Sequence, residues 1–314
     1  MKALHCWLLT EGAHGMISQV EGLASAMNAT FDHKTVKLKN IFKLIPPKFS
    51  PKSKSIFNFS ELTKSVNSLP DYLISCGRKS VIPNIVLKSY FKNFYNHNIK
   101  NIHIQDPKIS SNNFDYIIVP EHDNPVKGNN IIKSVGALHY VTEKEVENSN
   151  HEEKLVVTII LGGPNKYYLF SENEIEKFIF KITQAKNNIT KINIIGSRRT
   201  PFQLFENIKK KFNTNIFNYD LSLKKENYLK LMSEASHIVV TSDSISMISE
   251  AAITGKPIYV VELTKSKNDY RFQRFVNLFE KLGIIRKLDQ TLDNWTYEKL
   301  YETKRIANLI LNKK

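Results

Sequence analysis

The stretch TSDSISMISEAAITGKPIYV (residues 241–260) places three small polar side chains and an acid just after a predicted buried strand, HIVVT. Ser242, Asp243 and Ser244 can cap the helix predicted next, whose first amides and dipole also attract a phosphate. Because Asp243 would repel a phosphate, Ser244 and the amides after it are the better contacts. Glu250 lies two turns further along the same face, where a carboxylate can accept both hydroxyls of a ribose. The alternative is an ordinary exposed helical glutamate.

Two other strand ends in the second half carry glycine or arginine. Gly162 and Gly163 form a glycine turn in LGGPN, after the apolar run LVVTIIL. Arg198 and Arg199 follow the next predicted strand in GSRRTP, at the start of a helix. Two adjacent guanidinium groups can clamp a diphosphate. Solvent exposure, which is common for arginine, is the alternative.

The first loop of the chain, TEGAHGMISQVEGL (residues 10–23), also leads from a strand into a helix. Gly12 and Gly15 let the backbone turn tightly, but their spacing is not G-x-G-x-x-G, so the dinucleotide fingerprint is absent. His14 stands between them, and the unperturbed pKa of a histidine side chain, about 6.5, suits a general base. The alternative is a loop histidine that caps the helix.

Three further strand ends in the first half carry ionisable groups. Arg78 follows Gly77 directly and can bind a phosphate or carboxylate in a fork. Asp106 lies in IQDPKI, and Glu121, His122 and Asp123 lie together in VPEHDNP. The three adjacent side chains cannot all point the same way, so they do not predict a metal site. Turn formation is the alternative for both aspartates.

The elements that position these residues alternate along the whole chain. Short apolar runs bounded by turn residues and separated by helical patterns predict βαβ units and parallel sheets. The pattern restarts after the polar stretch TEKEVENSNHEEK, so a domain boundary is predicted near residue 148. Helices are predicted at 270–282 and 295–311. The predicted fold class is therefore α/β, with two doubly wound domains and a cleft between them.

Composition narrows the class of protein. The chain has 314 residues, 41% of them hydrophobic, and a formal net charge of +15. Such a charge favours an anionic partner, although the abundance of Lys, Asn and Ile is also typical of an AT-rich genome. Two cysteines, Cys6 and Cys76, do not make a disulfide framework or a metal cluster. No apolar run reaches membrane-spanning length and no signal-peptide cleavage site is evident, so a cytoplasmic location is expected.

Residues 40–65 break the alternating pattern by mixing lysine with phenylalanine, isoleucine and proline. One interpretation is a basic and hydrophobic segment that contacts a membrane or a lipid-linked substrate. The other is a solvated loop whose aromatic side chains pack back on the domain, because its prolines prevent a long amphipathic helix.

Eight motifs, taken in order, resemble the mitochondrial-fission ELM family. That family has a plant branch and a large bacterial branch. The bacterial proteins are described as glycosyltransferase-like or as similar to nucleoside-diphosphate-sugar epimerases. The likeness covers residues 7–280, with Thr-Glu-Gly where the family pattern leads us to expect Thr-Asp-Gly. The motifs are WLLTEGAHGMISQVEGLA, CGRKSVIP, HIQDP, DYIIVPEHD, VGALH, LGGPN, GSRRTP and TSDSISMISEAAITGKPIYV.

The resemblance implies a GT-B-like architecture of two facing Rossmann-like domains with a C-terminal helix that returns to the first. Residues 1–148 would then bind the acceptor, residues 149–295 the nucleotide sugar, and residues 296–314 would form the returning helix. The nucleotide-sugar side would use residues at three strand ends of the second half, namely Gly162, Gly163, Arg198, Arg199, Ser242, Asp243, Ser244 and Glu250. The acceptor side would use Gly12, Gly15, Gln19, Arg78, Glu121, His122 and Asp123, with His14 or Asp106 as the base.

The expected function is therefore a GT-B-type glycosyltransferase that uses a nucleotide-diphosphate sugar. The resemblance implies that no metal ion or other cofactor is needed. A lipid-linked or membrane-surface acceptor reached through residues 40–65 is a further expectation, with a peripheral position at the inner face of a membrane; nucleic acid is not an expected partner. The alternatives are a non-catalytic partner-binding protein and a sugar epimerase.

Overall fold

The computed structural model describes residues 3–64, 66, 68–147, 155–185, 188–289 and 291–312. The chain forms two compact units. Unit 1 comprises Met1–Tyr140 and Tyr301–Lys314, and unit 2 comprises Val141–Leu300. The boundary predicted at residue 148 lies outside the described residues, and the division between the units falls directly after Tyr140.

Each unit contains one six-stranded parallel sheet, as the alternating pattern predicts. The sheet of unit 1 has the order β2-β1-β3-β4-β5-β6, and that of unit 2 has the order β12-β11-β10-β7-β8-β9. The strands are β1 (His5–Thr10), β2 (Thr30–Thr35), β3 (Tyr72–Cys76), β4 (Lys100–Ile104), β5 (Tyr116–Pro120), β6 (Ile131–Ser134), β7 (Leu155–Leu161), β8 (Ile189–Gly196), β9 (Phe217–Asp220), β10 (His237–Thr241), β11 (Ile258–Val261) and β12 (Ile285–Lys287).

Helices follow most of the strands. Those of unit 1 lie at both ends of the chain, and those of unit 2 lie between them. They are α1 (His14–Ala26), α2 (Phe59–Thr63), α3 (Val81–Tyr95), α4 (Glu143–Val146), α5 (Glu172–Ala185), α6 (Phe202–Lys211), α7 (Lys225–Glu234), α8 (Ile245–Ala251), α9 (Tyr270–Lys281) and α10 (Glu302–Asn312). Among the described residues, no helix has the length and hydrophobicity needed to cross a membrane.

The core of unit 1 lies on both faces of its sheet because successive side chains of a strand point in opposite directions. Cys6 and Leu8 of β1 are buried in the cluster that contains side chains of α1 and α10. Trp7 and Leu9 of the same strand are buried on the other face, against α3. The C-terminal helix therefore completes one face of the first sheet, as the family resemblance implies.

The last helix begins at Glu302, later than the predicted start near residue 295. The residues before it make hydrogen bonds to distant residues of unit 2 in place of helical i to i+4 hydrogen bonds. The Asp293 amide donates to the Tyr259 hydroxyl at 2.6 Å, and Trp295 Nε1 donates to the Gly283 carbonyl at 2.9 Å. These tertiary contacts override the helical periodicity of this stretch.

The irregular segment 40–65 divides into two parts. It contains short 3₁₀ turns at Asn40–Lys43, Pro47–Phe49 and Lys54–Ile56, followed by α2. Ile56 and Phe57 are buried in the α3-side core, as the packed-loop interpretation predicts. Ile41, Leu44 and Phe49 are instead exposed.

Candidate functional site

The strand order of unit 2 reverses between β7 and β10, because the chain runs from β7 outward to β9 and then returns to β10. Ligands of doubly wound sheets bind beyond the carboxyl ends of the strands at such a switch point. Gly162 and Gly163 follow β7, and Ser242–Ser244 follow β10. Arg198 and Arg199 follow β8, the other neighbour of β7. The structure thus brings the three predicted loops of this half to one sheet edge.

Asp243 is the centre of a hydrogen-bond network at this edge, and its side chain has no exposed surface. Its Oδ2 accepts from Arg199 Nη2 at 2.6 Å and from the Gly163 amide at 3.0 Å. Its Oδ1 accepts from the Thr241 hydroxyl at 2.7 Å. Asp243 therefore links the ends of β7, β8 and β10.

The two glycines after β7 make room for this network. A Cβ atom on Gly162 would lie 2.0 Å from Asp243 Oδ2, and one on Gly163 would lie 2.0 Å from the Arg199 carbonyl oxygen. Real Cβ atoms essentially never come so close to another heavy atom. The need for glycine here is thus explained by the approach of Asp243 and Arg199, independently of any ligand.

The two adjacent arginines differ in their surroundings. Arg199 is held by Asp243 and also donates from Nη1 to the Gly163 carbonyl at 2.8 Å. The Arg198 side chain is exposed and makes no hydrogen bond or ion pair within the described part of the chain. Arg198 is therefore the cation of the pair that is available to a ligand.

The serines that flank Asp243 also differ. Ser242 is buried, and its Oγ accepts from the Leu263 amide at 3.0 Å, at the end of β11. Ser244 is partly exposed and caps α8, with 3.4 Å between its Oγ and the Met247 amide nitrogen. Ser244 is thus the flanking serine that a ligand can reach.

Glu250 is only 6% exposed, so the alternative of an ordinary exposed helical glutamate is wrong. Its Oε2 accepts from the Tyr228 hydroxyl of α7 at 2.9 Å. Tyr228 was missed in the sequence because one tyrosine in a helical pattern carries no signal for a partner in another helix. A buried carboxylate held by a hydroxyl has a fixed orientation.

The sheet of unit 1 has its own switch point between β1 and β3. Gly12 has a φ of +90°, and a Cβ atom added to it would have no other heavy atom within 4 Å. His14 is exposed, opens α1 and lies edge-to-face with Tyr140, with ring centroids 6.0 Å apart. An ion pair between Glu11 and Lys79 joins the loops that follow the two strands.

Arg78, at the same switch point, is engaged within unit 1. Its guanidinium donates to the carbonyls of Lys43 and Ile45, the latter at 3.1 Å. Arg78 thus fixes the first turn of segment 40–65 at the carboxyl edge of the sheet. Gln19, another predicted acceptor-side residue, is buried in α1 and donates to the Gly15 carbonyl at 2.9 Å.

Asp106 lies after β4, two strands from β1. Its Oδ1 accepts from the Lys108 amide at 2.9 Å, as in the turn proposed as its alternative role, and its Oδ2 pairs with Lys108 Nζ at 2.7 Å. Partial burial raises the pKa of the Asp106 carboxyl, but its hydrogen bonds and ion pair with Lys108 outweigh burial and leave that pKa below its usual value. A lowered pKa makes Asp106 a weaker base.

The three ionisable residues after β5 diverge, as predicted. Glu121 is exposed, the His122 side chain is buried, and Asp123 is partly exposed. His122 Nε2 lies 3.9 Å from Asp123 Oδ1. Over the described residues, no group of three or more His, Cys, Asp and Glu side chains is placed to hold a metal ion.

The chain is similar in sequence to known proteins over most of its length. A family model described as mitochondrial fission ELM1 matches residues 14–313. An uncharacterized protein of Rickettsia prowazekii is 27% identical, with 98% of each chain covered. The mitochondrial fission protein ELM1 of Arabidopsis thaliana is 24% identical over 82% of this chain and 66% of its own length.

Solved structures of nucleotide-sugar enzymes share the fold. A UDP-GlcNAc 2-epimerase from Neisseria meningitidis matches with a TM-score of 0.53 and 12% identity, covering 99% of this chain and 100% of its own. MurG of Acinetobacter baumannii matches with a TM-score of 0.52 and 12% identity, covering 98% and 89%. At this identity the likeness shows the fold alone, which is GT-B-like, as predicted.

Proposed function

Because the chain belongs to the mitochondrial fission ELM1 family, we propose that it is a GT-B-type glycosyltransferase that uses a nucleotide-diphosphate sugar. Two solved neighbours, both UDP-GlcNAc 2-epimerases, support a nucleotide sugar as the ligand. The Neisseria epimerase is bound to UDP-GlcNAc, and an epimerase from Methanocaldococcus jannaschii is in complex with UDP-GlcNAc and UDP. The fold alone hosts many functions, so the proposal depends on the residues of the site.

The observation that carries the proposal is the buried Glu250 carboxylate, which is held by Tyr228 and lies in α8, the helix that follows β10 of the switch point. Its orientation is fixed before a ligand arrives, which reduces the entropy lost when it accepts hydrogen bonds from ribose hydroxyls. Arg198 and Ser244 would contact the diphosphate. Asp243 and Arg199 would keep the three loops in place.

The proposed transfer forms one bond to the anomeric carbon of the sugar and breaks another. The oxygen of an acceptor hydroxyl bonds to the anomeric carbon, while the bond from that carbon to the diphosphate breaks and its electron pair leaves with the diphosphate. Arg198 stabilises the negative charge on the leaving group. The acceptor proton goes to a base of unit 1, either His14 or Asp106, and the lowered pKa of Asp106 favours His14. The proposal includes no metal ion.

We propose that unit 1, whose switch point carries Gly12, His14 and Arg78, binds the acceptor. We propose that this acceptor is lipid-linked or lies at a membrane surface. Segment 40–65 would make the contact, because Arg78 holds that segment at the same sheet edge. A cytoplasmic protein bound at the inner face of a membrane is part of this proposal.

The second candidate is a sugar epimerase, because several of the solved neighbours are UDP-GlcNAc 2-epimerases. The two reactions differ in their need for an acceptor. The test is to incubate the protein with UDP-GlcNAc, with and without a membrane-lipid extract, and to follow the sugar by proton NMR. A transferase releases UDP only with the extract, whereas an epimerase inverts C2 without it. No binding and no conversion would favour a partner-binding protein.

A further inference from the structure

Three large apolar side chains lie close together in sequence on the surface of unit 1. Ile41, Leu44 and Phe49 are 67%, 85% and 72% exposed. Single exposed apolar residues are normal, but large contiguous ones mark interaction sites. Three within nine residues, each more than half exposed, therefore make this stretch a candidate for contact with a partner.

The same stretch is strongly cationic. Residues 38–60 contain five lysines and no acidic residue. These lysines are residues 39, 43, 48, 52 and 54, and none forms an ion pair with any residue that the structure describes. The nearest acid in sequence, Glu61, is already paired with Lys37 at 3.0 Å. The stretch thus has uncompensated charge for an anionic partner.

The stretch is fastened to unit 1 in the middle of its exposed part and at its two flanks. Arg78 donates to the Lys43 and Ile45 carbonyls, and Leu38 forms a β-bridge with Phe57, which is buried in the core. Fixed attachment keeps the apolar side chains exposed when they could otherwise fold back. The exposure is therefore a property of the folded unit.

The cationic and apolar character continues onto α3. Lys52 and Lys54 line a cavity of about 290 Å³ with Tyr90 and Phe94 of that helix. Lys54 Nζ lies 4.6 Å from the centroid of the Tyr90 ring, and Phe94 is 69% exposed. Lysine beside aromatic rings suits the boundary between lipid head groups and acyl chains, where each group keeps its preferred surroundings.

We propose that residues 39–54 dock unit 1 on a membrane surface that contains anionic lipids. Ile41, Leu44 and Phe49 enter the acyl boundary, and the five lysines bind the head groups. Lysine attracts an anionic leaflet, and the apolar side chains add burial that a soluble polyanion cannot provide. The proposal deepens the membrane contact proposed above for segment 40–65 and rests on it. Binding requires neither a nucleotide nor a sugar, so it can be tested separately from sugar transfer.

The test is co-sedimentation of the full chain with vesicles of phosphatidylcholine, with or without one quarter phosphatidylglycerol, in the absence of nucleotide. The wild-type protein should bind the anionic vesicles and bind neutral vesicles at least about tenfold more weakly. Phe49→Ser should weaken binding about tenfold, because one large apolar side chain loses its burial. The matched control is Phe180→Ser in α5, where Phe180 is 60% exposed, and it should bind as the wild type does.

Two double variants that each remove two lysine charges complete the test. Lys43→Gln with Lys48→Gln should weaken binding about 25-fold, at about fivefold per lysine. Lys209→Gln with Lys210→Gln on α6 makes the same change in net charge and should leave binding nearly unchanged. No binding to anionic vesicles, equal binding to neutral ones, or equal loss in variants and controls would overturn the proposal. Nucleotide binding measured without vesicles keeps its failure distinct from that of the proposed transferase.

Discussion

The hydroxyl of Tyr228 on α7 donates a hydrogen bond of 2.9 Å to Oε2 of Glu250 on α8, a carboxylate that is almost completely buried. The pair joins two consecutive helices of unit 2 near the switch point of its sheet. The tyrosine is therefore expected to act as a positioning residue for the carboxylate. Its removal should change ligand affinity more than stability.

Tyr228→Phe removes this hydrogen bond and keeps the ring. We expect nucleoside-diphosphate affinity to fall about tenfold, since one hydrogen bond to a charged group contributes about 1.5–3 kcal/mol and its loss affects the ligand only through Glu250. Tyr219→Phe is the control, because the Tyr219 hydroxyl donates to the Phe212 carbonyl at 2.8 Å, away from the switch point. Calorimetric titration of both variants with UDP measures the effect. Equal affinities in the two variants would contradict the positioning role.

Arg198→Ala and Arg199→Ala should separate binding from stability. Arg198 is unpaired within the described chain, so its loss should weaken diphosphate binding by about 1.5–3 kcal/mol without lowering the melting temperature. Arg199 neutralises the buried Asp243 carboxylate. Its loss should lower the free energy of unfolding by about 1–3 kcal/mol. This range is below the value for a fully buried ion pair because Arg199 is partly exposed.

Thermal unfolding and UDP titration of both variants provide the two readouts. If Arg199→Ala weakens UDP binding and leaves the melting temperature unchanged, Arg199 contacts the ligand and the separation is wrong.

His14→Ala should retain nucleotide affinity and lose turnover, because a missing general base typically costs about 10²–10⁴ in rate. If the histidine only stabilises α1, the variant should instead melt at a lower temperature with an unchanged rate per folded molecule. Measuring the rate, the UDP affinity and the melting temperature on one preparation decides between these roles. An unchanged rate with intact binding would transfer the role of base to Asp106.

Unit 1 should lose stability as the pH falls, because burial lowers the pKa of His103 from 6.5 to about 3. Below pH 6.5 the unfolded chain takes up a proton at this residue and the folded one does not. Stability is therefore present above pH 6.5 and is lost as the pH falls toward 3, by up to about 1.4 kcal/mol per pH unit.

Urea unfolding at pH 7, 6 and 5, in a Trp295→Phe background, follows unit 1 through the fluorescence of Trp7. His103→Gln should show a shallower fall in stability between these pH values than the parent protein. Parallel pH dependences in the two proteins would show that His103 does not cause the loss.

The sequence predicts the parts of the fold that depend on local pattern. Apolar runs identify the central strands, and the helix predicted at 270–282 corresponds to α9 (Tyr270–Lys281). Strand β2 (Thr30–Thr35) was missed because its residues, TFDHKT, contain one apolar side chain and are mostly exposed. Its pairing with β1 is a tertiary property that its own residues do not encode.

The candidate site shows the same limit. The positions of Asp243 and Glu250 after β10 follow from a strand end and helical periodicity. The engagement of Arg199 by Asp243, and of Arg78 by the carbonyls of residues 43 and 45, depends on loops brought together by the fold. Arg199 is structural, whereas the adjacent Arg198 is available to a ligand. Their spacing in the sequence does not show which of the two has which role.

Calorimetric titration of the full chain with UDP, beside Glu250→Ala, tests nucleotide-sugar binding most directly. The wild type should bind with a stoichiometry of one, and the variant should bind about 10- to 100-fold more weakly, because a charged hydrogen-bonding group contributes about 1.5–3 kcal/mol. A melting temperature of the variant within a few degrees of the wild type would show that the loss is local. No heat of binding to the wild type at millimolar UDP, or equal affinity in the two proteins, would contradict the account.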